Sequence, residues 1–181
     1  SQVDEIRIGA LVDEEDVGGP AVAADFEHLN HFLPAALTRR AGAYIWREGN
    51  DARTTFPALD GTEIDATGFS SIDVVGLASA TGAHSVQFDL GTGVSSSRRS
   101  GGTFSTEIII AMSGLDQAGE VLHTRHAVVH PYGAAPLTGM GIALLLERLI
   151  GLDGKPPVAP GLYFPYQIRS EERRVGKECR S

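Results

Sequence analysis

The stretch FSTEIIIAMSGLDQAGEVLHTRHAVVH, residues 104–130, constrains this chain more than any other. Two runs rich in β-branched residues flank a polar turn containing Gly114, Asp116 and Gly119. Residues 104–113 and 120–130 are therefore expected to pair as an antiparallel hairpin. Whatever sheet the chain builds has an antiparallel component from the outset.

Other elements follow from periodicity. In VDEIRIGALV, residues 3–12, alternation puts Ile6, Ile8, Ala10 and Val12 on one side of a strand closed by the acidic turn DEEDVGG. Pro20 suits a helix start, and Val22, Phe26, Leu29 and Leu33 recur at helical spacing. An amphipathic helix is expected over 20–32, ended by Pro34, with a second short helical piece through Arg40. AYIWRE (43–48) and ARTTF (52–56) read as a hairpin across EGND. A short strand near Ile64 and a short helix near Ile72, capped by Ser70 or Ser71, come next. HSVQFDL alternates, with Val86, Phe88 and Leu90 inward.

PLTGMGIALLLERLIGL, residues 136–152, is helical and apolar almost all round; only Thr138, Glu147 and Arg148 break its surface. Such a helix is expected to be buried on most sides. Gly151 and Gly154 end it, and KPPVAPGLYFP is extended. The order is not strict βαβ alternation. The class expected is α+β: a mixed or largely antiparallel sheet with helices on one face and one long buried C-terminal helix.

Length and charge narrow the function. A chain of 181 residues with 42% hydrophobic content supports one packed core. A net charge of -8 argues against nucleic acid as a partner. No apolar run is long enough for a membrane span, and the N-terminus lacks the pattern of a signal peptide. One Cys excludes an intrachain disulfide framework, so a cytosolic protein is expected. The last segment, RSEERRVGKECRS, holds five of the 15 basic residues, and only Val175 in it is aliphatic. Residues 169–181 are read as a disordered, non-native scar rather than a basic partner-binding tail.

FDLGTGVSSSRRSGG, residues 88–102, tests for a dinucleotide loop. A Rossmann phosphate loop needs G-x-G-x-x-G, a helix starting at the loop and an acidic residue about 20 positions on. Ser96 occupies the third glycine position, and a strand follows without a helix N-terminus. The chain therefore carries no nucleotide fingerprint. Arg98 and Arg99, beside Ser97, leave two readings: a solvated strand-to-strand loop, or a loop whose guanidinium forks grip an anionic substrate. His28 and His31 lie three apart but lack a third ligand, so no metal site is expected. His126 and His130 share strand parity, and with Tyr132 they end the hairpin. They are hydrogen-bonded or exposed strand residues, or an acid–base group. No nucleophile motif appears, and the catalytic residues stay unknown.

The hairpin EIIIAMSGLDQAGEVLHTRHAVVH, the Thr-containing APLTGMGIALLLERLIGL and the Pro-rich PPVAPGLYFPYQI together resemble the end of the saccharopine dehydrogenase-like family. There a hairpin leads into an apolar helix that starts near a Thr and ends at Leu-x-Gly, and a segment like Gly-Val-x-x-Pro-Glu closes the chain. Tyr166 stands here where an acidic residue is usual. The stretch from Ala23 to Trp46 is loosely similar to the family's helix and R-x-G-x-W-like strand. The resemblance covers about residues 20–168.

The resemblance implies an NAD- or NADP-dependent oxidoreductase whose Rossmann domain lies outside this chain. Residues 1–168 would then be its substrate-binding and dimerisation domain, with no cofactor held in this chain and a homodimer expected. It also implies a small acidic amino-acid-like substrate, of the amino-dicarboxylate type, with hydride moving between nicotinamide and the carbon on the secondary nitrogen. Arg98, Arg99, Ser97, His130 and Tyr132 are the candidate substrate contacts. The chain alone would be inactive. The alternative is a non-catalytic α+β binding or assembly module; a stand-alone enzyme would need a catalytic group that the sequence does not reveal.

Overall fold

The structure, a computed structural model, describes residues 2–21, 24–25 and 35–168. They form a mixed α+β fold that divides into two compact units, the first ending at Pro136 and the second beginning at Leu137. The first unit carries eight strands: β1 (Gln2–Asp13), β2 (Ala36–Arg40), β3 (Ala43–Arg47), β4 (Arg53–Pro57), β5 (Glu63–Gly68), β6 (Ser85–Gly93), β7 (Thr106–Leu115) and β8 (Val121–His130). Their order is β3-β2-β6-β1-β7-β8, with β5 also on β6 and β4 on β5. β1 and β6 run parallel, and every other described pair is antiparallel.

The first half of β1 alternates as its sequence predicts, with Ile6 and Ile8 buried between exposed or half-buried polar residues. Its second half is buried on both faces. A helix, α2 (Asp73–Thr81), brings Val74 and Ala78 against Ile6, Ile8 and Val86 on one face. The β4–β5 hairpin brings Ala58, Ile64 and Phe56 against Leu11 on the other. Glycines in two strands make that crossing possible. A Cβ on Gly9 would run into the Phe56 ring, and one on Gly91 would lie 2.7 Å from Ile64 Cγ2. The Ser71 hydroxyl accepts the N–H of Asp73 at the start of α2, and Gly82 ends the helix at φ 74°.

The hairpin of residues 104–130 forms as expected: β7 pairs with β8 in unbroken register from Thr106 opposite His130 to Leu115 opposite Val121. The short strand at Ile64 and the helix after Ser71 are present too. Other expectations are corrected. Residues 36–40 are strand, not helix, because β2 turns back through Ala41 (φ 49°) and Gly42 (φ 84°) to pair with β3. Two positive φ values in a two-residue loop are what a type I′ hairpin needs. The AYIWRE strand therefore pairs backward, while Gly49–Ala52 (α1) is one helical turn and β4 pairs forward with β5. Residues 20–21 and 24–25 are helical; Val22, Phe26, Leu29, Leu33, Pro34, His28 and His31 lie outside the described residues, as does the segment 169–181.

A buried polar bridge ties β3 to β6. Arg47 donates to Thr38 Oγ1 and to Asp89 Oδ1, both at 2.7 Å, and the Arg47 and Asp89 side chains are 3% and 5% exposed. Gln87 Nε2 donates to the other Asp89 oxygen at 2.7 Å.

The C-terminal apolar helix begins two residues earlier than expected, α4 running over Ala134–Leu149, with Pro136 tolerated in its first turn. Gly151 and Gly154, each at φ 79°, follow its end. The expectation of burial is corrected: no residue of α4 is buried, and Met140, Ile142 and Leu146 are each about half exposed. Within its own unit the helix meets only short pieces. Val158 N–H donates to the Leu149 carbonyl and Arg148 to that of Pro156, and the one-turn α5 (Pro165–Ile168) follows. No helix among the described residues is long and apolar enough to cross a membrane.

Candidate functional site

The turn between β6 and β7 holds three of the residues singled out from the sequence. It was expected to lack a helix, yet Ser96–Arg99 forms one helical turn, α3. Serines explain it. Ser95 takes the N-cap position, and its hydroxyl accepts the Arg98 N–H and the Ser105 N–H. Gly101, at φ 86°, lets the chain reverse after the turn.

The protein's own carboxylates occupy the N–H groups that such a turn offers. Ser95 N–H donates to Asp13 Oδ2 at 2.8 Å, and Ser96 N–H donates to Glu107 Oε1 at 2.5 Å. Glu107 is fully buried. Its other oxygen accepts the Ser96 hydroxyl at 2.8 Å and the Leu59 N–H at 2.9 Å. Ends of β1 and β7 are thereby tied to one four-residue turn.

Arg98 and Arg99 point in different directions. Arg98 Nη1 lies 2.7 Å from Asp13 Oδ1, whose side chain is fully buried, and its outer edge meets Glu14 and Glu15 at 3.3 Å. Both of those glutamates are more than half exposed. Burial alone would raise the Asp13 pKa. The hydrogen bonds from Ser95, the Glu15 N–H and Arg98 outweigh it and hold the group at about 2. Arg98 in turn is pushed up, chiefly by its bond to Asp13. Arg99 forms a two-pronged pair with Asp60, Nε to Oδ2 at 2.7 Å and Nη2 to Oδ1 at 2.8 Å, and also donates to the Val94 carbonyl. That fork holds Asp60 well below the usual carboxylate range and raises Arg99.

Ser97 is half-buried, and its carbonyl accepts from Ser100 and Gly102. His130 and Tyr132 stand at the end of β8, ring centroids 6.0 Å apart, with the Tyr132 N–H donating to His130 Nδ1. Two links place them at the same end of the sheet as the arginine turn. His130 lies opposite Thr106 in the ladder, and Thr103 Oγ1 donates to the Pro131 carbonyl at 3.3 Å. Asp16 fastens this end further, accepting from Thr106 Oγ1 at 3.0 Å and from the Ala134 N–H at 2.9 Å.

Reading the sequence found the cations and missed the acids. Asp13, Asp60 and Glu107 come from three separate segments, and no spacing connects them. One signal was available: a glutamate inside the run STEIII is a carboxylate in a segment built for burial, which demands donors close by. Among the described residues no group of three or more His, Cys, Asp or Glu side chains is placed to hold a metal ion. No protein-family model matches the chain, and no curated protein sequence matches it.

Proposed function

We propose that this chain is the substrate-gripping half of a cytoplasmic oxidoreductase of the saccharopine dehydrogenase-like kind. A separate Rossmann domain would supply NAD or NADP, the protein would act as a homodimer, and the substrate would be an amino-dicarboxylate. One observation carries the reading. Arg98 has a buried inner anchor, Asp13, and an outer edge that already takes carboxylates from two exposed glutamates. The anchor fixes the guanidinium, so a substrate carboxylate has only to displace Glu14 and Glu15, whose longer contacts are screened by water. Arg99, closed on Asp60 by two short bonds, is the less available of the pair. Ser97, His130 and Tyr132 share that end of the sheet and would bound the substrate.

Calorimetric titration of the chain with saccharopine tests this. Binding is expected, weakened about tenfold or more in Arg98→Met. It should be tightened in the double variant Glu14→Gln/Glu15→Gln, which removes the competing carboxylates. Absence of binding, or an affinity indifferent to all three changes, overturns it.

A second reading is an assembly module without chemistry, favoured by a different observation. β8 ends the sheet order, and Val121, Leu122, Val128 and Val129 are exposed along it. A ten-residue edge strand with that many apolar side chains is a template for association. Sedimentation at rising concentration separates the two. An assembly module self-associates and ignores saccharopine.

A further inference from the structure

The face of the sheet away from α2 holds an open cleft straddling β7. Its floor is Ala111 and Ser113; Glu5 and Arg7 of β1 form one wall, and His123 and Arg125 of β8 the other, around a cavity of about 330 Å³. Register makes it: Arg7 pairs with Ala111 and Ala111 with Arg125, while Glu5 pairs with Ser113 and Ser113 with His123. Arg7 and Arg125 thus stand in one row of the sheet with the smallest methyl side chain between them, two strand spacings, or about 10 Å, apart at the backbone. The β4–β5 hairpin covers the neighbouring part of this face, over Leu11.

Arg125 is the decisive group. Its Nη2 donates to the Pro57 and Ala58 carbonyls at 3.1 and 2.7 Å, which fixes the guanidinium. Those acceptors are neutral, and Arg125 makes no ion pair among the described residues, so its charge is oriented and uncompensated. Arg7 is tied to Glu5 only through Nε, at 2.7 Å, leaving its two terminal nitrogens for an acceptor in the cleft. A planar carboxylate lying over Ala111 can take donors from both forks.

From this geometry we infer that the cleft between β1 and β8 is a binding site for a small organic carboxylate, clamped by Arg7 and Arg125. The cavity is at the lower end of the small-molecule range, suiting a metabolite of a few carbons. This site is separate from the Arg98 turn, and the inference does not rest on the oxidoreductase reading.

The test is titration of the full chain with succinate, followed by calorimetry and by NMR of the arginine Nε–H groups. The Arg7 and Arg125 signals are expected to shift while that of Arg40 stays in place. Binding should weaken about tenfold in Arg125→Met and in Arg7→Met and be unchanged in Arg40→Met, an exposed arginine outside the cleft. Arg125→Lys, which keeps the charge without the fork, should recover only part of the affinity and keeps the test valid if the Met variant unfolds. Three results would overturn the inference: no shift at either arginine, inorganic phosphate binding as tightly as succinate, or an equal loss of binding in Arg40→Met.

Discussion

Arg98 reaches from a helical turn to the buried carboxylate of Asp13 at the end of β1, 2.7 Å away, joining positions far apart in the chain. Because hydrogen bonds from Ser95, the Glu15 N–H and Arg98 outweigh burial and hold Asp13 at about 2 against an ordinary 3.8, the folded state binds a proton here less readily than the unfolded one. A depressed acid stabilises the fold above its unfolded pKa, and that contribution disappears as pH falls through the folded value. Together these bonds are expected to contribute about 2 kcal/mol at neutral pH, lost between roughly pH 4 and pH 2. Urea unfolding across that window checks it: Asp13→Asn should be less stable at pH 7 and should flatten the acid limb. An unchanged acid limb contradicts the assignment.

Glu107→Gln tests the other buried acid. The carboxylate accepts two N–H groups and one hydroxyl, and an amide in its place must turn an NH₂ toward at least one donor. A loss of about 1–3 kcal/mol is expected from the unmatched group. Ser96→Ala, which removes only the hydroxyl, should cost less. The order of the two urea midpoints decides the point.

The Arg47–Asp89 bridge behaves as a buried pair. Arg47→Met strands the Asp89 carboxylate with Gln87 alone and should cost about 3–5 kcal/mol. Arg47→Met/Asp89→Leu should recover much of that, because the unpaired charge is gone. A single-variant loss below about 1 kcal/mol would mean that water reaches the pair.

Ala41 sits at φ 49°, in the left-handed region that disfavours a Cβ. Ala41→Gly is expected to raise stability by about 0.5–1 kcal/mol, the relieved strain exceeding the added chain entropy. A thermal midpoint that falls instead would show that the β2–β3 turn has another conformation.

Gly9→Ala should be among the most damaging small substitutions in β1, because the new methyl enters the Phe56 ring. Overpacking of this kind costs about 1–3 kcal/mol. Phe56→Ala/Gly9→Ala should be less destabilised than the sum of the single variants, and a double-mutant cycle measures the difference.

Legibility in the sequence followed the range of the cause. The β7–β8 hairpin and the first half of β1 were readable because pattern and turn residues lie within a few positions of one another. Leu11 was not, since its burial depends on a hairpin that arrives from residues 53–68. Residues 36–40 read as helix because nothing inside ALTRR opposes it; the strand is imposed by the Ala41-Gly42 turn and by the Arg47–Thr38 bond. The apolar surface of α4 signalled burial, but burial needs a covering partner, and its own unit provides little. Arg98, Arg99 and Ser97 stood out as cations and a hydroxyl in a glycine-rich loop. Their acidic partners could be paired with them only once the sheet had brought three distant segments together.

The side-by-side run of β1 with β6, Glu5 opposite Ser85 through Asp13 opposite Gly93, has a consequence for biosynthesis. The opening strand leaves the ribosome roughly eighty residues before its parallel neighbour exists, and its other neighbour, β7, is translated later still. Until then its apolar side chains have no native strand to lie against. The nascent protein must therefore hold a sticky segment in waiting, and chaperone capture of stalled chains should drop sharply once both β6 and β7 have emerged from the exit tunnel.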